Sequence, residues 1–326
     1  MWTLKVLSRT PKPSQLKKLS RSIKMPASVK HAFTEKKEDP CSIGALKNPP
    51  CLRAEQYARN NRLQRKNSNA VLDFCQPLFD PECDSSMQFL DVGCGTGDFT
   101  RDCLLPRCYP CRRIVATDWS SDMIEYARSH SSHEKIEYQQ LDIAGDGVAD
   151  LLRRYGRFHR VYSFYCLHWV KNQDVALKNI SELLRPDGEC LLLFPASNQP
   201  TASWQILAGM ERWAKYSEYL LSFVPESQNM IDDQEQMDYM LSLLHGAGIS
   251  PKCCGVRRLE TFDGCSEKDM IGLHMGVLPI AGLVSDEERP QLFNDLRALV
   301  QSLHSPETDQ SRFRMYVIMA TKRPTD

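Results

Sequence analysis

The chain has 326 residues, 42% of them hydrophobic and 25% charged, with 41 acids balancing 41 Lys and Arg. That length suits one large α/β domain or two modest ones, and no run approaches the ~18 consecutive apolar residues of a membrane span. Overall neutrality hides an asymmetry: residues 1–30 hold eight Lys or Arg and no acid, so the remainder is acidic by eight charges. An acidic body argues against nucleic acid as the main partner, because phosphate neutralisation needs a basic face.

Residues 1–50 contain Pro11, Pro13, Pro26, Pro40, Pro49 and Pro50 and no sustained apolar periodicity. They read as a disordered tail or as a mitochondrial presequence, since the acid-free start carries Trp2, Leu4, Val6 and Leu7. Residues 51–326 read as the folded domain. Thirteen cysteines, an odd number without a repeating framework, favour reduced thiols in the cytosol, or in an organelle matrix if residues 1–30 act as an address. Cys108-Tyr-Pro-Cys111 has half of a zinc spacing, but no second Cys or His pair stands at the usual separation, so no metal is expected.

Regular patterning predicts a helix over 54–74, with Tyr57, Leu63, Ala70, Val71 and Phe74 available for packing. Strands follow at 89–92, 113–117, 136–141, 160–165 and 188–194, the last after an Arg185-Pro-Asp-Gly188 turn. Helices alternate with them at 98–105, 121–130, capped by Ser120 or Ser121, and 175–184. This alternation means a doubly wound, mostly parallel sheet, with ligands beyond the carboxyl ends of its strands. Asp91, Asp118, Asp142 and Ser163 all stand at or close to such ends.

Beyond Pro195 the rhythm changes. Helices are predicted over 203–223 and 234–245, then an extended segment over 252–262, two further helical stretches and a last strand over 314–321. The late strands complete a seven-stranded sheet in antiparallel fashion. Insertions around 197–250 and 265–305 form a helical cap.

The chemistry starts at Phe89–Thr100, FLDVGCGTGDFT. An apolar strand reaches Asp91 and runs into Gly93, Gly95 and Gly97 before a helix. Glycine permits the tight turn and lets a ligand lie on bare backbone. The third glycine comes one residue early for a dinucleotide fingerprint. With its acid two residues ahead, the pattern resembles motif I of the class I S-adenosylmethionine methyltransferases. A dinucleotide brings a pyrophosphate that seeks a helix N-terminus; S-adenosyl-L-methionine brings an ammonium and a sulfonium that tolerate nearby carboxylates. Asp118, twenty-one residues after Gly97, can accept both ribose hydroxyl protons, or cap the helix after Trp119. Asp142 can accept from the adenine amine with Ile143 supplying a backbone amide, or simply begin the loop 142–150. Trp119 and Ser163 complete the candidate cofactor set.

Three further segments carry a narrower resemblance: Val161-Tyr-Ser-Phe-Tyr-Cys-Leu-His-Trp-Val170, Asn61-Arg-Leu-Gln-Arg65 and Glu211-Arg-Trp-Ala-Lys-Tyr216, with the closing strand. Over about 54–323 the chain is similar to the juvenile hormone acid O-methyltransferases, and its Cys-Leu-His-Trp stretch resembles trans-aconitate and plant carboxyl methyltransferases. The resemblance implies a Rossmann-like methyltransferase that esterifies a lipophilic acid of the farnesoic or juvenile hormone type. It places Gln64 and Trp169 at the carboxylate-holding positions. An indole N–H and an amide NH₂ are neutral donors that orient a carboxylate without quenching it; core packing for Trp169 and solvation for Gln64 are the plain alternatives. His168 invites a catalytic role, but a carboxylic acid is already ionised near neutral pH, so a hydrogen-bonding wall residue is expected. The segment 277–284 and the basic N-terminus depart from the family pattern and bear on which acid is taken. The competing functions are a cofactor- or lipid-binding protein without turnover, and methyl transfer to another acid, a carbon or a phenol.

Overall fold

The computed structural model describes residues 54–80, 82–230, 232–260, 266–303 and 312–323. The tail or presequence expected over 1–50 lies outside them. Seven strands, β1 (Gln88–Val92), β2 (Arg113–Asp118), β3 (Ile136–Gln140), β4 (Phe158–Phe164), β5 (Leu184–Ser197), β6 (Ile249–Glu260) and β7 (Arg312–Lys322), form one sheet in the order β3-β2-β1-β4-β5-β7-β6. β1 to β5 pair in parallel, and β7 runs antiparallel between β5 and β6. The expected doubly wound sheet is present. Its strand order reverses between β1 and β4, where a crevice opens at the carboxyl ends.

Side chains of a strand point alternately to the two faces, and both faces here are apolar. Cys190, Leu192 and Phe194 of β5 enter one core, Leu191 and Leu193 the other. β7 repeats this, with Tyr316, Ile318 and Ala320 against Met315, Val317 and Met319. Cys253 and Cys254 likewise enter opposite cores, as a strand pair does. Helices α5 (Val148–Tyr155), α6 (Gln173–Leu183) and α9 (Asp233–Gly246) cover the first face; α2 (Arg62–Cys75), α3 (Leu105–Cys108) and α4 (Ser121–His130) cover the second. Ser120 caps α4, its hydroxyl accepting from the Met123 amide at 3.3 Å.

Several elements differ from the sequence expectation. The helix over 54–74 is two, α1 (Ala54–Asn60) and α2, broken at Asn61, whose amide donates to both carboxylate oxygens of Asp98. α5 occupies a region read as loop; its apolar positions Val148, Leu151 and Tyr155 are few, and Gly145, Gly147 and Gly156 around it mask the pattern. The helix over 203–223 is three pieces, α7 (Gln199–Ala208), a 3₁₀ stretch Glu211–Tyr216 and α8 (Ser217–Ser222), because the chain turns at Gly209. α9, expected in the cap, instead buries Met240 and Leu244 against the sheet. The cap consists of α7, α8, α10 (Glu267–Gly276) and α11 (Arg289–Leu303).

At the opposite end of the sheet from the crevice lies a buried charge network. Arg160 of β4 and Glu189 of β5 are register partners, 3% and 2% exposed, with Nε 3.4 Å from the carboxylate. Lys252 reaches the other Glu189 oxygen at 2.5 Å, and the Arg160 guanidinium lies 4.3 Å over the Phe79 ring. Removing one member of such a pair leaves a charge uncompensated in the interior. Glu189→Ala is therefore expected to lower unfolding stability by ~3–5 kcal/mol, read from the urea midpoint, with no change in the residues of the crevice.

Candidate active site

The turn after β1 depends on backbone that only glycine adopts easily. Gly93 has φ +79, and a Cβ there would overlap Cβ and Sγ of Cys166 in the loop after β4. Gly97 has φ +73, and its Cβ would come 2.6 Å from the Tyr138 hydroxyl. The amides of Gly93 and Cys94 donate to the Thr117 carbonyl at 2.7 and 2.9 Å, so the turn curls over the end of β2. Asp118 completes the attachment: Oδ2 accepts from the Gly95 amide and Oδ1 from the Ser120 amide, each at 3.0 Å. The cap of α4 is thus Ser120, and Asp118 lines the crevice.

A cleft of about 1200 Å³, counted out to its mouth, follows the strand ends. Gly93, Gly95, Asp118, Trp119, Asp142 and Ile143 line it, which brings six of the expected cofactor residues together. Asp142 is exposed at its rim and accepts from the Ala144 amide at 2.9 Å. Burial pushes the Asp118 carboxyl up to about 6, against the two amide bonds that lower it. Asp91 is 3% exposed, and burial raises its carboxyl to about 7, despite a 2.6 Å hydrogen bond from the Thr100 hydroxyl. Desolvated carboxylates at these strand ends favour a cationic ligand.

Gly93 belongs also to a second, smaller recess, which Asp91 lines together with Asn61, Arg65 and Asp98. Arg65 pairs with Asp98, and the Thr96 hydroxyl donates to Asp98 at 2.7 Å. Charges of both signs therefore face one small space, as an amino acid's ammonium and carboxylate require. Cleft and charged recess have room and charge compatible with S-adenosyl-L-methionine, and the residues expected for its ribose and adenine, Asp118, Asp142 and Ile143, line the same cleft.

A third recess, about 670 Å³ counted to its opening, lies under the cap. Leu63, Pro195, Pro200, Trp204, Leu273 and Val277 make it largely apolar, and no charged side chain lines it. Gln64, His168 and Trp169 all face it, so the three residues carried by the family resemblance meet here. Trp169 packs between His168, Trp204 and Phe223, with ring centroids at 5.3, 5.1 and 6.2 Å. Gln64 Oε1, His168 Nδ1, Thr201 Oγ1 and Trp204 Nε1 are buried without a hydrogen-bond partner among the described residues. Each such atom costs ~1–3 kcal/mol, and their convergence on one recess marks it as built for a polar ligand head. Burial lowers the His168 imidazole to about 3. It is neutral at physiological pH and a very weak base.

Two expected cofactor residues stand elsewhere. Ser163 is buried, its hydroxyl donating 2.9 Å to the Val92 carbonyl, and it ties β4 to β1 without lining the cleft. Gly97 serves the turn and its packing on Tyr138. Sequence reasoning missed Tyr57, Tyr165, Asp98, Thr201 and Trp204. Asp98 could have been found, since it follows the glycine motif directly. Tyr57 and the cap residues have no local signal, because distant elements bring them in.

Residues 89–188 match a family model described as a methyltransferase domain. The juvenile hormone acid O-methyltransferase of Drosophila melanogaster is 34% identical over 191 residues, 58% of this chain and 64% of that protein. The Bombyx mori protein of the same name is 29% identical over 210 residues, 61% of this chain and 70% of that one. A malonyl-[acyl-carrier protein] O-methyltransferase of Acetivibrio thermocellus is 33% identical over 135 residues, 41% and 44% of the two chains. The match to the Drosophila protein thus spans just under two thirds of its length. Fold and glycine turn are those of the class I methyltransferases, and residues 89–188 match a methyltransferase domain. Within that class the chain is similar to the juvenile hormone acid O-methyltransferases.

The raised carboxyls make cofactor binding pH-dependent. A cation binds the ionised form, so affinity for S-adenosyl-L-methionine is expected to fall as pH is lowered from about 8 to 5, through the ranges of Asp91 (about 7) and Asp118 (about 6). Calorimetric titration across that range checks it, and Asp118→Asn should weaken binding at pH 8 and flatten the lower part of the profile.

Proposed function

We propose that the protein esterifies the carboxylate of a lipophilic acid bearing a single negative charge, with S-adenosyl-L-methionine as methyl donor. The observation that carries this is the acceptor recess: apolar walls, no charged lining residue, and neutral lining residues whose hydrogen-bonding atoms have no partner among the described residues. The cofactor supplies a methyl group on cationic sulfur, which a carboxylate oxygen takes with no proton to remove, leaving a neutral thioether. Gln64 and Trp169 hold the acceptor by neutral donors, which orient the carboxylate without the ground-state stabilisation an arginine would add. His168, uncharged, is a wall residue and not the base. Trp204 and Thr201 add an indole N–H and a hydroxyl to the same lining. Holding donor and acceptor in line contributes up to ~7–11 kcal/mol through effective concentration.

Lack of charge in the recess separates candidate substrates. An acid with a second carboxylate, of the trans-aconitate type, would bury a charge without a partner, at a cost of several kcal/mol. A monocarboxylic isoprenoid or fatty acid, of the farnesoic or juvenile hormone acid kind, leaves only its head charged, and the relatives' names point the same way. Of the segment 277–284, expected to differ from the juvenile hormone acid O-methyltransferase pattern, Val277 lines the recess and Leu278, Ile280 and Val284 are buried. The segment therefore sets the length of tail that fits, through Val277 and the packing behind it.

Incubation with labelled S-adenosyl-L-methionine and a panel of fatty and isoprenoid acids should give methyl esters, identified by mass spectrometry; label in no ester overturns the proposal. Trp169→Phe and Gln64→Leu are each expected to lower kcat/KM roughly tenfold or more, since one lost hydrogen bond to a charged group costs ~1.5–3 kcal/mol. Cofactor Kd, measured separately by calorimetry, should stay within about twofold of the parent value.

A further inference from the structure

The strand-end cleft, the charged recess and the acceptor recess converge. Gly93 is shared by the first two, Gln64 by the last two, and Trp169 by the cleft and the acceptor recess. Tyr57 and Tyr165 alone among the described residues line all three. The sulfur of S-adenosyl-L-methionine has the same topology: three substituents, the adenosyl group, the amino acid chain and the methyl, radiate from one positive centre. A nucleoside in the cleft, an amino acid in the charged recess and a methyl facing the acceptor put that centre where the two tyrosines stand.

We infer that Tyr57 and Tyr165 form an aromatic cage for the sulfonium, which selects the charged donor over its neutral thioether product. The inference rests on the cofactor assignment above. An aromatic face attracts a cation through its quadrupole, and the attraction is strongest where water is excluded. Both rings are held from outside. Tyr57, on α1, lies over the glycine turn, its Cε1 3.3 Å from where a Cβ on Gly95 would stand. Tyr165 is pinned through its hydroxyl, which accepts from the Asn67 amide at 3.0 Å. Its backbone has φ 53, a left-handed conformation that a bulky residue rarely adopts, and its amide donates 2.7 Å to the Leu193 carbonyl, securing that turn. Strained backbone of this kind persists where the surroundings over-determine it, typically at ligand sites.

Charge around the cage has the right sign. Asp98 and Asp118 lie near the Tyr57 ring, and burial together with these carboxylates keeps its hydroxyl protonated. Burial pushes Tyr165 up to about 12. The rings are thus neutral π faces in a negative surrounding, and neither acts as an anion or a base. After transfer the positive charge is gone and the cage loses its hold, so the product is released more readily than the donor.

The test compares Kd for S-adenosyl-L-methionine and S-adenosylhomocysteine by calorimetry on the full chain, with no acceptor present. The parent protein should prefer the sulfonium. Tyr57→Leu should reduce the preference by about three- to tenfold, by weakening the sulfonium and leaving the thioether nearly unchanged. Tyr57→Phe, which retains the π face, should keep the ratio within about twofold. A merely structural Tyr57 makes a different prediction, equal weakening of both ligands by Leu, and that result, or an unaltered ratio, overturns the cage. Should Tyr57→Leu not fold by circular dichroism, Tyr57→Gln is read the same way. Binding of neither ligand to the parent protein overturns the cofactor assignment itself, and the cage with it.

Discussion

The site depends on how closely two loops approach at the carboxyl end of the sheet. Between the turn after β1 and the loop after β4 there is no room for a single methyl group: a Cβ on Gly93 would stand inside the Cys166 side chain. Because the gap is closed, the residues following β4 reach the cleft that Asp118 borders, and Tyr165 and Trp169 line the same space as the glycine turn. Three concavities then meet at one place.

Electrostatics follow from the same geometry. The strand-end carboxylates Asp91 and Asp118 are out of water and lie beyond the ordinary carboxyl range, a cost that a bound cation relieves. Across the junction the acceptor recess has no charged lining at all. On the proposed function, a positive donor is drawn to one side and a lone anionic head meets neutral donors on the other, and the two opposite charges would cancel as the methyl passed between them. The cap, held together by contacts such as the 2.9 Å bond from the Trp213 indole to Asp295 of α11, supplies the apolar side of the recess through Trp204, Leu273 and Val277.

Much of this was legible in the residues. Strand-ending acids and the early third glycine identify the ligand class because they are local: a turn of that shape needs glycine there, and parallel strands present their carboxyl ends together. The antiparallel completion and the placement of Cys253 and Cys254 on opposite faces were equally readable from alternation. Less legible were features set by long-range contacts. The break at Asn61 depends on Asp98, thirty-seven residues away. The helix at Val148–Tyr155 was masked by flanking glycines. Ser163, correctly placed at a strand end, points into the sheet and not the cleft, because side chains alternate and its hydroxyl is taken by the Val92 carbonyl.

By itself the sequence determined the fold class, the donor-binding turn and the chemical character of each wall, since periodicity, glycine and charge act within a few residues. Only the tertiary structure decided which side chains meet. Tyr57, Tyr165, Gln64 and Trp204 come from α1, the β4 loop, α2 and the cap, and nothing in their spacing along the chain encodes a common cavity. Their meeting is a property of packed elements, whose relative positions are set by the whole core on both faces of the sheet and by the glycine turn that lets two loops touch.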